Sequence, residues 1–170
     1  MGMIERGLYY LSPEYGELVR RLGGAWADSK HRPVVCLIKS SEAEGLYWAI
    51  PMGKLNHRSA EQQQRIDSFL NFPPHDIRSC YYHIGRTTTK SIFFISDACP
   101  ITDKYIDSVH TGADGKHFVM KNKPLIQELE RKLLRILSVE NAKKNSFRQH
   151  ISSIKEYLLE ELNAGGRTCP

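Results

Sequence analysis

Long apolar runs are missing from this 170-residue chain: the longest, residues 34–38 and 92–95, fall far short of the ~20 residues a membrane helix needs. No membrane span is expected. The first residues, Met1-Gly2-Met3-Ile4-Glu5-Arg6, carry no apolar segment followed by a small-residue cleavage site, so secretion is not expected either. Cysteine is scarce and scattered. Cys36, Cys80, Cys99 and Cys169 form no CxxC or CxxH pair, which argues against a zinc ribbon and a disulfide framework and favours a reducing cytoplasm. The chain also lacks a GxxxxGK[ST] or GxGxxG phosphate loop, an HExxH, a GxSxG elbow and any carboxylate cluster with metal-binding spacing. Nucleotide hydrolysis and two-metal phosphoryl transfer, which needs several convergent acids, lose ground accordingly. No cofactor or metal is expected.

What is present is an ordinary globular composition, 41% hydrophobic and 25% charged, with a net charge of +5. Residues 30–90 hold nine Lys or Arg against five Asp or Glu, whereas residues 1–29 are slightly acidic. A basic stretch of this kind points to polyanions, nucleic acid ahead of phospholipid because no amphipathic helix flanks it. Solubility alone would also account for it.

The length suits one domain over residues 1–164, with a flexible tail at 165–170. Leu8-Tyr9-Tyr10-Leu11 reads as a strand, and Ser12-Pro13 starts a helix that stops at Gly23-Gly24. Pro33 opens residues 34–38, an apolar run typical of a strand buried on both faces. Residues 46–50 read as its hairpin partner, ended by Pro51 and followed by a polar, basic loop over 52–58. Ser59 caps a helix over 60–71. Residues 80–84 and 91–95 form a second hairpin, 97–100 a turn, and 117–120 a short strand. Leucines at 125, 129 and 133 mark one C-terminal helix. A second, capped at Asn145-Ser146, carries Phe147, Ile151, Ile154, Leu158 and Leu162 on one face. The expected class is α+β: a compact, strongly curled antiparallel sheet with outer helices, two of them C-terminal.

Positive and hydrogen-bonding side chains gather at strand ends. Lys30-His31-Arg32 precede one strand, and Lys54, Asn56, His57 and Arg58 follow its neighbour; an antiparallel hairpin brings those ends together. RNA can be cleaved by such a set without a metal, because its own 2'-hydroxyl is the nucleophile. A histidine suits the proton transfers and Lys or Arg the charge growing on the phosphorane. The same cluster could only grip phosphates, making the chain a non-catalytic RNA-binding module. A DNA-binding reading of the 60–71 helix is weaker, since its exposed face is rich in Gln with just Arg65. Arg58, Arg86, Lys90, Lys116, Lys121, Lys123, Lys143, Lys144 and Arg148 are the further basic residues available to RNA. His83, among aromatic neighbours in a strand, reads as a structural histidine, and Cys36 and Cys99 as core.

The ordered set Leu8-Tyr9-Tyr10-Leu11-Ser12, Arg32-Pro33, Tyr47-Trp48-Ala49-Ile50-Pro51-Met52-Gly53-Lys54, Gly85-Arg86 and Ile92-Phe93-Phe94-Ile95-Ser96-Asp97-Ala98-Cys99-Pro100-Ile101 resembles the toxins of type III toxin-antitoxin systems. It is most similar to the CptN/TenpN branch of the ToxN/AbiQ family, over residues 8–162. The resemblance implies a MazF/Kid-like barrel and a metal-independent, sequence-selective endoribonuclease that leaves a 2',3'-cyclic phosphate. It further implies cleavage of cellular mRNA and of an antitoxin precursor, and inhibition by a small repeat pseudoknot RNA held in a toxin-RNA assembly. No protein antitoxin is expected, and a role in abortive infection by phage is implied. By position, the family's basic residue before the apolar strand matches Arg32, or Lys30 by a short shift. Its loop after the strand-ending proline falls on residues 52–57. There Gly53 and Lys54 stand where the family has a hydroxyl pair followed by lysine, which turns the catalytic expectation toward Lys54 and His57.

Overall fold

The computed structural model describes residues 2–27 and 31–165. Seven strands build an antiparallel sheet: β1 (Gly7–Leu11), β2 (Val34–Lys39), β3 (Tyr47–Lys54), β4 (Tyr82–Arg86), β5 (Lys90–Phe94), β6 (Cys99–Ile101) and β7 (Ile106–Val109). Four helices accompany it: α1 (Pro13–Arg21), α2 (Ala60–Leu70), α3 (Lys123–Ala142) and α4 (Ile151–Gly165). The class is α+β. The strands run β4-β5-β3-β2-β1-β7, with β6 pairing β3 off this path. That path is open. Its edge strands β4 and β7 are not paired to one another, and α2 and α3 pack beside β4. The sheet is therefore neither closed nor strongly curled, which corrects the expected barrel.

Alternation explains why β2 is apolar over residues 34–37, up to the register shift between Cys36 and Ile38. Val35 and Leu37 join Leu8, Trp48, Ile50, Met52 and Phe93 in a core covered by Leu125, Leu129, Leu133 and Ile136 of α3. Val34 and Cys36 face the other way, with Tyr9, Tyr47 and Ala49, into a core closed by Tyr15, Leu18 and Val19 of α1 and Ile154 and Leu158 of α4. Both faces of the sheet are thus buried at β2, as a continuous apolar run requires.

Several expected boundaries move. Pro51 does not end its strand: β3 continues to Lys54 and pairs Pro51 with Val34. The Met52 N–H donates to the Pro33 carbonyl, so by alternation the donor that proline lacks would point to the opposite side. On that side β3 pairs β6 through Tyr47–Ala49 and β5 from Met52 onward, leaving Pro51 at the change of partner. No hydrogen bond is lost there. The basic loop likewise becomes the end of β3 plus a 3-10 turn, Leu55–His57. The turn expected at 97–100 contains β6, which Cys99 and Ile101 anchor in the core. Residues 117–120 form only single bridges, from His117 to Thr111 and from Val119 to Gly7. Phe147 is buried but precedes α4, because Asn145 and His150 adopt positive φ and make 145–150 a turn. Asn145 is therefore not the residue flanking α4, although its side-chain oxygen accepts from the Ser153 N–H in the first turn at 3.3 Å. The capping box at Ser59 and Gln62 is present, and Gly23 with φ 93° stops α1. Lys30 and the tail beyond Gly165 lie outside the described residues.

Candidate functional site

The pairing of Val34 with Pro51 sets the start of β2 beside the end of β3, so Arg32 and Lys54 share one edge of the hairpin. On the far side of β3, Gly53 and Lys54 pair with Ile92 and Ser91, which brings in the β4–β5 tip at Thr87, Thr88 and Thr89. The fourth contribution comes through β1: the His110 N–H, just past β7, donates to the Leu8 carbonyl at 2.9 Å. These elements enclose a cavity of about 490 Å³. Arg32, Lys54, His57 and Arg58 all line it, joined by Tyr10, His31 and His110. Among the described residues, no carboxylate lines it.

The cations converge on one ring. The guanidinium carbons of Arg32 and Arg58 lie 5.2 and 5.1 Å from the centre of the half-buried Phe94 ring, in the range of cation–π attraction. Burial, followed by repulsion from Arg58, lowers the Arg32 pKa, and burial lowers that of Arg58. Among the described residues neither is in a salt bridge, and the buried Arg58 Nε has no hydrogen-bond partner. Such a pair is relieved by an anion. Gly53 makes room for the Arg58 guanidinium, since a Cβ there would lie 2.5 Å from its Nη2. On the adjacent hairpin, Thr87 Oγ1 and Ser91 Oγ lie 3.2 Å apart.

Tyr10, His31 and His110 form another part of the lining. Tyr10 stacks on His31 with centroids 4.2 Å apart, and its hydroxyl lies 2.8 Å from His110 Nδ1. That hydrogen bond holds the His110 ring and leaves its Nε2 as the nitrogen not engaged by Tyr10. Burial, then the charges of His117 and Lys54, push the His110 pKa below the ordinary histidine value, so its ring is neutral at pH 7 and able to accept a proton. His57 and Lys54 are exposed at the mouth.

The remaining basic candidates divide. Arg86 and Lys90 pair across the hairpin that carries the three threonines, and neither lines the cavity, although the threonines between them do. Lys116, Lys121, Lys123 and Lys143 are exposed on other surfaces. Lys144 is held by Glu156 at 2.6 Å, and Arg148 grips buried Asp97 through two bonds of 2.7 and 2.5 Å. The Arg148 charge is therefore already partnered. Cys36 and Cys99 are core residues, with burial pushing both thiols up, Cys99 to about 12. His83 is half buried and its pKa falls to about 4, through burial and then the neighbouring Lys132. Among the described residues, no group of three His, Cys, Asp or Glu side chains is placed to hold a metal ion.

Sequence reasoning missed Tyr10 and His110. Tyr10 was read only as part of an aromatic strand, and His110 lies in a polar stretch with no motif around it. The usable signal is the pairing of β1 with β7. Among the described residues, no helix is long and apolar enough to cross a membrane. In comparisons with known proteins, the chain matches no protein-family model and no curated protein.

Proposed function

We propose that this protein is a metal-independent endoribonuclease, acting in the cytoplasm as the toxin of a type III toxin-antitoxin system. The observation that carries the reading is the cavity itself: Arg32 and Arg58 outside any salt bridge among the described residues, with Lys54 and three histidines around one space that no described carboxylate lines. A phosphodiester fits that charge pattern, and a 2'-hydroxyl completes the chemistry.

In the proposed reaction the 2'-oxygen attacks the adjacent phosphorus, the bond to the 5'-oxygen breaks, and a 2',3'-cyclic phosphate forms. Neutral His110, oriented by Tyr10, takes the 2'-hydroxyl proton. His57 gives a proton to the leaving 5'-oxygen. Lys54 and Arg32 stabilise the charge on the phosphorane oxygens, where preorganised donors contribute most. The resemblance of the sequence to the ToxN/AbiQ toxins adds the biological setting: cellular mRNA as substrate and a small repeat RNA as precursor, product and inhibitor.

Incubating the purified protein with total RNA in excess EDTA tests this. Discrete cleavage with cyclic phosphate ends is the expected result. Intact RNA bound with a steep salt dependence would instead support a non-catalytic RNA-binding module.

A further inference from the structure

Beside the first cavity, and sharing Arg58 with it, lies a second of about 370 Å³. Its wall is a run of aromatic rings. Phe94 meets Tyr82 edge to face at 6.1 Å, Tyr82 meets Phe69 at 5.6 Å, and Phe69 stacks on Tyr81 at 5.5 Å. All four rings are only half buried, although each belongs to a residue type that contributes most when fully covered. Cations frame them: the Arg65 guanidinium is 5.7 Å from the Phe69 centroid, and Arg58 lies over Phe94. Open aromatic faces flanked by guanidinium groups are the chemistry that holds single-stranded nucleic acid, bases stacking on rings while phosphates meet arginine.

We propose that the second cavity holds an unpaired nucleobase of the same RNA strand whose scissile phosphate occupies the first, with Arg58 between them on the connecting phosphate. The inference rests on the RNA-cleaving reading of the first cavity. Two features favour a base in a chain over a free nucleotide. The two cavities are joined through Arg58, and the partnerless Arg58 Nε is a donor a bridging phosphate would satisfy. The subsite would make cleavage depend on a nucleotide next to the broken bond, because only an unpaired base can leave its helix and stack here.

The test compares uncleavable 2'-O-methyl hexanucleotides with an abasic hexamer of the same backbone and charge, by direct titration. Base stacking predicts that the best intact hexamer binds about 5- to 100-fold more tightly than the abasic one. Phe69→Leu and Tyr82→Leu, which keep apolar bulk but remove a ring, should each shrink that ratio, while binding of the abasic probe stays unchanged. Equal affinity of intact and abasic probes for the wild-type protein overturns the subsite and leaves the nuclease reading standing if RNA is still cut. A clear base preference with no RNA cleavage does the reverse. A nucleoside monophosphate binding as tightly as the hexamer would mean a mononucleotide pocket and would also overturn the proposal.

Discussion

Arg148 separates a structural role from an RNA-binding one, and its pair with Asp97 gives the magnitude. Two charge-assisted bonds, at 2.7 and 2.5 Å, join a carboxylate side chain only 11% exposed to a guanidinium side chain 65% exposed. The bonds also raise the Arg148 pKa. Arg148→Met would leave the Asp97 charge buried without its partner, a loss that reaches ~3–5 kcal/mol for fully buried pairs. Because the arginine is mostly exposed, water can reach part of the site, and ~1–3 kcal/mol is the expected loss here. For a chain of this size that corresponds to roughly 2–12 °C in Tm. Asp97→Asn should cost less, since the amide oxygen still accepts one bond and no charge is stranded. The double variant should be less destabilised than the two single losses added together, by ~1 kcal/mol or more. Urea denaturation at pH 7 measures all four proteins without adding salt. If Arg148→Met lies within ~0.5 kcal/mol of the wild type, the pair is an ordinary surface contact and the structural reasoning fails.

Lys54→Ala should lower RNA cleavage by ~10²-fold or more, and His110→Ala or His57→Ala by ~10²- to 10⁴-fold, each with RNA binding largely retained. Full activity in either histidine variant, assayed on a mapped short substrate, removes that residue from the proton relay. The lowered pKa of His110 places the acid limb of the kcat/KM profile below the ordinary histidine range, and Lys54→Gln, which removes one cause of the lowering, should move that limb upward. His83 titrates near 4 when folded against about 6.5 for an unperturbed histidine, so between those values the unfolded chain binds more protons. Stability should fall as pH drops from about 6.5 toward 4, and His83→Gln should flatten that slope in denaturation curves; an identical slope would contradict it.

The hairpin of β2 and β3 was legible because its apolar run has one physical solution, a strand buried on both faces, and that pairing carries Arg32 to Lys54. Closure was not legible. Alternation and turn signals specify strands, but whether the edges of β4 and β7 meet depends on long-range geometry and on the helices beside β4. Pro51 misled for a related reason: a proline ends a strand only where its missing N–H is needed, and β3 changes partners at that residue. The other half of the cavity is set by contacts between residues a hundred positions apart, Tyr10 with His110. Neither residue carries a local pattern that reveals the other. Phe94 was legible only as part of a strand; its half exposure under two guanidiniums is a feature of the folded chain.

The central claim is that the RNA's own 2'-hydroxyl does the cutting, and a substrate with one 2'-deoxy nucleotide immediately 5' to the mapped scissile bond tests it most directly. Losing one hydroxyl among many phosphate contacts should leave binding nearly unchanged, so any loss of cleavage reports on the chemistry. The account predicts that this substrate binds as the all-ribose strand does, competes with it, and is not cut at that bond. Cleavage of the deoxy-substituted strand at the same position would contradict the mechanism and point to an activated water as the nucleophile.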